Sequence, residues 1–226
     1  MRDRQLGKTA LVSVNASGTG ANNSTRSPQI SADGRTVAFA SLADNLIPGD
    51  TNGVYDIYVR DRLTRQTRRM SVSSDGEQAN ERSFDPSINA DGRYVAFSSA
   101  ATNLVANDSH STPDIYFHER TLLAYTLSPT TLAFGDHALN TSTTLNVRVE
   151  NTGNATLAIN TIAISGADAS QFTQTTTCLA TLAVEGVCQI KVVFTPKTTG
   201  AKSATLTLQT GGGLPQRNVK LTGRGI

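Results

Sequence analysis

SADGRTVAFAS at residues 31–41 returns as NADGRYVAFSS at residues 89–99. Setting Asp33 on Asp91 fixes an offset of 58 residues, and the same offset holds without a gap through the first half of the chain. Arg2-Asp3-Arg4 fall on Arg60-Asp61-Arg62, and Ser13-Val14 on Ser71-Val72. Asn45-Leu46 fall on Asn103-Leu104, and Asp56-Ile57-Tyr58 on Asp114-Ile115-Tyr116. About 26 of roughly 59 aligned positions are identical, which marks a structural repeat.

One repeat reads as four strands, at about residues 27–31, 36–42, 55–61 and 66–73. Asp33-Gly34 is a hairpin turn, with glycine supplying the positive φ. In Val37-Ala38-Phe39-Ala40 the apolar side chains fall on both faces, as in a strand buried between two sheets. Four-stranded sheets stacked this way are blades of a β-propeller. The motif S-A-D-G-R-x-V-A-F followed by D-I-Y-V-R-D resembles the bacterial TolB-type propeller repeat over residues 1–120. Residues 43–54 are an enlarged loop relative to that family.

The repeat count falls short of a ring, since propellers close with about four to eight blades. The chain carries one complete unit, a second from residue 85, and a tail of an earlier one in residues 1–14. The expectation is therefore either a fragment of a longer propeller or a ring assembled from several chains. The second unit's fourth strand would fall at 125–130, where the text is already changing, and Thr9–Val14 is a candidate to fill that place on ring closure.

Composition changes at the same point. Residues 1–124 carry 13 basic and 14 acidic side chains; residues 125–226 carry 7 and 4. The expected domains are 1–124 and 125–226. From Leu127 onward, Leu145, Val147 and Val149 alternate with Asn146, Arg148 and Glu150. Asn151 to Asn154 is a turn, and further strands are expected at 156–164, 187–195, 203–209 and 217–223. Six or seven short strands with this spacing suggest an immunoglobulin-like sandwich. The segments SPTTLAFG, VENTGNATLAI, ISGADASQF and KVVFTPKTTGAKSATLTL resemble the bacterial choice-of-anchor D and ASH/Hydin-like sandwich domains over about 127–226. Asn140 stands where that family usually has glycine, so a changed turn is expected. The fold class is all-β: partial propeller blades plus an immunoglobulin-like sandwich.

Cys178 and Cys188 flank TLAVEG, read as a hairpin. Hairpin spacing and the resemblance favour a disulfide, hence an oxidising compartment; two buried thiols in a cytosolic protein are the alternative. The resemblance implies a non-catalytic module of a secreted or surface protein.

The chain lacks G-x-S-x-G, H-E-x-x-H and a Walker loop, so no catalytic residue is assigned. His110, His118 and His137 have no mutual metal spacing, and His118 takes the place of Arg60, a position read as a solvated strand residue. Asp50, Asn52 and Asp56 gather oxygen donors around a tight glycine turn, which suits calcium; the alternative is that Asp50 caps a turn and Asp56 anchors a strand start. The second copy keeps Asp108 and Asp114 but loses the asparagine and glycine. No other cofactor is expected. Arg60, Arg62, Arg65, Arg68 and Arg69 form a basic cluster without aromatics, read as a solvated outer strand rather than a nucleic-acid surface. Net charge is +2, and no apolar run is long enough to span a membrane. Several N-x-S/T sequons, among them Asn23 to Thr25 and Asn154 to Thr156, are expected by chance in a chain this rich in Asn, Ser and Thr. No signal peptide is visible at residue 1. The functional expectation is a non-enzymatic extracellular or periplasmic protein that binds a protein or glycan through propeller loops 43–54 and 101–113. The sandwich would be its spacer or surface adaptor, and self-association could complete the propeller. The alternatives are a fragment of a propeller enzyme and a cytosolic scaffold.

Overall fold

The computed structural model describes residues 7–226, so the alignment of Arg2 to Arg4 lies outside the described residues. The chain divides into two compact units between Arg120 and Thr121.

The first unit holds β1 (Thr25–Ile30), β2 (Thr36–Ser41), β3 (Asp56–Asp61) and β4 (Gln66–Arg69) in one antiparallel sheet, ordered β1-β2-β3-β4. A second sheet holds β5 (Ser83–Ile88), β6 (Tyr94–Ser99) and β7 (Asp114–Glu119), ordered β5-β6-β7. Each opens with the Asp-Gly hairpin read in the sequence. Gly34 and Gly92 take φ of 70° and 74°, and Asp33 and Asp91 accept hydrogen bonds from the amides of Arg35 and Arg93 at 3.0 and 2.9 Å.

Every residue of β2 is buried, because its two faces enter two clusters. Val37 and Phe39 pack with Ala43, Leu46 and Tyr58. Ala38 and Ala40 pack with Ile57, Val59 and Met70 against Val95 and Phe97 of the second sheet and Ala101 and Leu104 of the loop that follows β6. Loops 43–54 and 101–113 are therefore partly core. Their buried residues Leu46 and Leu104 hold them to the sheets and are not available as contact surface.

The repeat extends to individual hydrogen bonds. Asn45 Oδ1 accepts from the amide of Asn22, and Asn103 Oδ1 from that of Asn80, both at 3.0 Å. The Thr25–Ser41 hydroxyl pair at 3.0 Å returns as Ser83–Ser99 at 2.9 Å. Phe39 stacks on Tyr58 at 6.0 Å between centroids, and Phe97 on Tyr116 at 5.9 Å.

The repeat breaks where the sequence changes. The second sheet has three strands, and residues 125–128 instead form the first strand of the next unit. Residues 9–14 do not lie beside β7; Val14 forms a bridge with Gly20, just as Val72 does with Gln78.

The second unit is a two-sheet, immunoglobulin-like sandwich. Its strands are β8 (Tyr125–Ser128), β9 (Thr131–His137), β10 (Thr143–Asn151), β11 (Leu157–Ser165), β12 (Phe172–Thr176), β13 (Thr181–Leu182), β14 (Val187–Phe194), β15 (Gly200–Thr210) and β16 (Arg217–Gly225). One sheet runs β12-β14-β10-β8, the other β13-β11-β15-β16-β9. Nine strands replace the six or seven expected. The first is split at Pro129, which has no amide to donate, so β8 pairs with β10 and β9 crosses to run parallel with β16. Val147 and Val149 face inward as the alternation requires, joining Ile190, Val192, Leu206, Leu208, Val219 and Leu221.

Candidate functional site

The polar centre of the first unit is the loop between β2 and β3. Asp50, Asn52 and Asp56 do converge there, but each carboxylate already has partners. Arg69, on β4, places Nη1 2.9 Å from Asp56 Oδ2 and 3.5 Å from Asp50 Oδ1. The same nitrogen donates to Gln78 Oε1 at 2.6 Å, and Nη2 donates to the Gly49 carbonyl at 3.1 Å. Tyr58 donates its hydroxyl to Asp50, Ser71 donates to Asp56, and Asn52 donates its amide to Asp56 at 3.0 Å. Asn52 thus presents N–H rather than oxygen to the carboxylate. The cation these residues hold is a guanidinium, and the donor set expected for calcium is engaged around it. Burial pushes the Asp56 carboxyl above its ordinary range, partly offset by the Ser71 hydrogen bond and the Arg69 charge. Burial and the Asp50 hydrogen bond likewise raise the Tyr58 hydroxyl, which stays a donor.

The second copy of this loop keeps the carboxylates and loses the arginine. Tyr116 again donates to the carboxylate, here Asp108. With no fourth strand, the position 58 residues beyond Arg69 is Leu127, on β8 of the other unit. His110 replaces Asn52 and lies 3.7 Å from Asp108 and 3.8 Å from Asp114. The ligand atoms of these three residues lie within 4.8 Å of one another, beside an open hollow that also touches Ile115 and Phe117. In the sequence this loop reads as a weakened copy of the first, keeping Asp108 and Asp114 and losing the asparagine and glycine; the visible signal for His110 is D-x-H-x-x-x-D aligned on the first loop.

The basic cluster divides. Arg60 is buried and donates to the Asn15 carbonyl at 3.0 Å and to Thr67 Oγ1 at 3.1 Å, while Arg69 is buried on its carboxylates. Only Arg62, Arg65 and Arg68 face solvent, which corrects the reading of a solvated strand. A strand buried on both faces leaves its polar residues to find partners inside. His118, at the Arg60 position, is half-buried, and burial lowers its pKa. His137 places Nε2 2.9 Å from the Phe134 carbonyl at the sandwich core.

In the sandwich, Cys178 and Cys188 form a disulfide, with a Cα–Cα distance of 5.0 Å. The segment between them is not a hairpin. β13 pairs with β11 in the opposite sheet, and buried Asn151 holds it there by donating to the carbonyls of Leu182 and Ala183 at 3.0 and 2.9 Å. Asn140 adopts φ of 60°, a left-handed conformation that asparagine tolerates and glycine takes freely.

No helix among the described residues is long and apolar enough to cross a membrane. Residues 119–216 match the family model described as ASH, "Abnormal spindle-like microcephaly-assoc'd, ASPM-SPD-2-Hydin". No curated protein matches. Among solved structures, the chain is similar to the ASH / PapD-like domain of human CEP192 (PapD-like domain 7), with 13% identity, TM-score 0.37, and coverage of 45% of this chain and 84% of that one. It is also similar to a protein of unknown function from Porphyromonas gingivalis W83, with 10% identity, TM-score 0.40, and coverage of 87% and 94%.

Proposed function

We propose that the chain is a non-catalytic binding protein in which the ASH-like sandwich is a protein-interaction module, carried beside blades of a TolB-like propeller. The observation that carries this reading is the match of residues 119–216 to the ASH model, together with a sandwich whose core is filled by apolar side chains. The propeller assignment rests on the sequence motif and on the 58-residue repetition of hydrogen bonds, with two-faced burial of β2. An extracellular or periplasmic location is supported by the Cys178–Cys188 disulfide, since such bonds persist in oxidising compartments.

Cross-linking in the native host, followed by peptide mapping, tests the interaction reading. Cross-links from another protein should concentrate on residues 121–226. Cross-links confined to residues 1–120 would contradict it. Thiol alkylation of freshly lysed cells tests the location: a blocked Cys178–Cys188 pair is expected, whereas two free thiols would favour a cytosolic scaffold.

A further inference from the structure

The β2–β3 and β6–β7 loops share a backbone shape and differ in what fills them. Gly49 and Asn107, one repeat apart, both take a left-handed φ, 77° and 69°. Tyr58 and Tyr116 donate their hydroxyls to the equivalent carboxylates, Asp50 and Asp108. In the first loop a cation lies between the carboxylates, because Arg69 Nη1 reaches both Asp50 and Asp56. Asp56 accepts from three side chains in all, those of Asn52, Ser71 and Arg69.

None of those three donors recurs at Asp114. The repeat offset puts His110, Pro129 and Leu127 in their places, and the last two belong to the sandwich. Asp108 nevertheless stays as buried as Asp50, with its side chain 7% exposed against 5%. Its Oδ1 accepts only a long bond, 3.4 Å, from the His110 amide. Among the described residues neither Asp108 nor Asp114 pairs with an arginine or lysine; the group that faces both is His110. Carboxylates brought this close, with ligand atoms within 4.8 Å, repel unless positive charge lies between them.

The spacing of the three residues says what kind of charge fits. His110 Nδ1 lies 3.7 Å from Asp108 Oδ1 and 3.8 Å from Asp114 Oδ2. Both separations exceed a hydrogen bond, which spans about 2.7–3.2 Å. They are close to the roughly 3.3–3.6 Å between neighbouring ligand atoms of a tetrahedral ion with bonds of about 2.0–2.2 Å.

We infer that the β6–β7 loop binds a divalent transition cation of the zinc type, held by Asp108 Oδ1, Asp114 Oδ2 and His110 Nδ1 where the first loop holds a guanidinium. An imidazole with two carboxylates is a donor set that zinc accepts. Calcium wants six to eight oxygens, and a nitrogen with two carboxylates serves it poorly. Tyr116 occupies Asp108 Oδ2 and so fixes the carboxylate with Oδ1 toward the ion. The Thr112 hydroxyl, 3.1 Å from His110 Nδ1, gives up that nitrogen when the ion enters. A fourth position opens on the hollow beside Ile115 and Phe117, whose apolar face is uncovered at 78% and 74% exposure, and water fills it. This inference rests on the loop alone and not on the role given to the sandwich, so either can fail without the other.

The test is isothermal titration of zinc chloride into the untagged full chain, beside the single variants His110→Asn and Asp114→Asn. His110→Asn restores the residue of the first copy, and both side chains are exposed, so folding should persist; circular dichroism checks it. The wild type should bind one zinc per chain, and more tightly than calcium. Each variant should weaken zinc by about a hundredfold or more, because even the outer partners of metal ligands are worth about 10–100-fold. Cobalt(II) gives a second readout: the visible bands of a four-coordinate ion should appear with the wild type and be lost with His110→Asn. A wild type that takes up no zinc would overturn the proposal. So would zinc uptake that His110→Asn leaves unchanged, since the ion would then lie elsewhere.

Discussion

Ile57 and Ile115 occupy the same place in consecutive repeats, and one is fully buried while the other is 78% exposed. The pair shows that the stack of sheets is interrupted at β7 while the repeat itself is intact there. The same interruption removes the strand that would carry an arginine to Asp108 and Asp114. The His110 cluster follows from that missing strand, and the apolar face from the lack of a further sheet over β7 among the described residues.

Arg69 is the counter-charge of the first loop, so Arg69→Met should leave Asp50 and Asp56 buried without it. Breaking such a pair costs about 3–5 kcal/mol. Differential scanning calorimetry of the full chain should show the transition of the first unit falling and that of the sandwich unchanged. Millimolar calcium should leave the wild-type transition where it is, because Arg69, Ser71, Tyr58 and Asn52 already occupy the carboxylates.

Asp61 sets an acid limit. Burial alone would raise its carboxyl, but the Arg35 hydrogen bond, the Thr64 amide and the charges of Arg35 and Arg120 outweigh it and hold it below the usual carboxylate range. A depressed folded value means stability present above about pH 4, the unfolded value, and lost as pH falls through the folded one. Urea midpoints measured across that acid window should decline in the wild type. Asp61→Asn should lower stability at neutral pH and flatten the decline.

Reducing Cys178–Cys188 reopens a loop of sequence separation 10. The chain-entropy relation assigns that closure about 2–3 kcal/mol. Denaturant titration of the double Cys→Ser variant should show the sandwich less stable by that amount, with the first unit unaffected.

Gly223 lies against the aromatic centre of the sandwich, where Phe172 stacks on Phe194 and Phe134 is tilted against both, with centroids 4.8–5.7 Å apart. A Cβ at residue 223 would stand 2.5 Å from Phe194 Cε1. Gly223→Ala should cost about 1–3 kcal/mol by overpacking. A thermal melt of the sandwich reads this directly, and an unchanged midpoint would mean that Phe194 can shift without loss.

Much of the fold was legible because its determinants are local. Asp33-Gly34 fixes a turn by itself, and Val37-Ala38-Phe39-Ala40 announces burial on two faces without knowledge of either neighbour. The split of the first sandwich strand at Pro129 was not legible, because sheet assignment depends on which distant strand offers an edge. β13 was missed because two residues carry no period, and what holds it is Asn151, some thirty residues away. Arg60 and Arg69 were misread as solvated because composition records charge but not its partner. Asp108 and Asp114 were legible as the second copy of the first loop, but the place of His110 between them was not, because sequence alignment does not show that the arginine of β4 has no counterpart there.

Hydrogen–deuterium exchange of the purified chain tests the two-faced burial of the repeat most directly. Burial of every residue of β2 predicts that the amides of residues 36–41 exchange among the slowest of the first unit. Exchange there as fast as in the exposed strand β7 would contradict it.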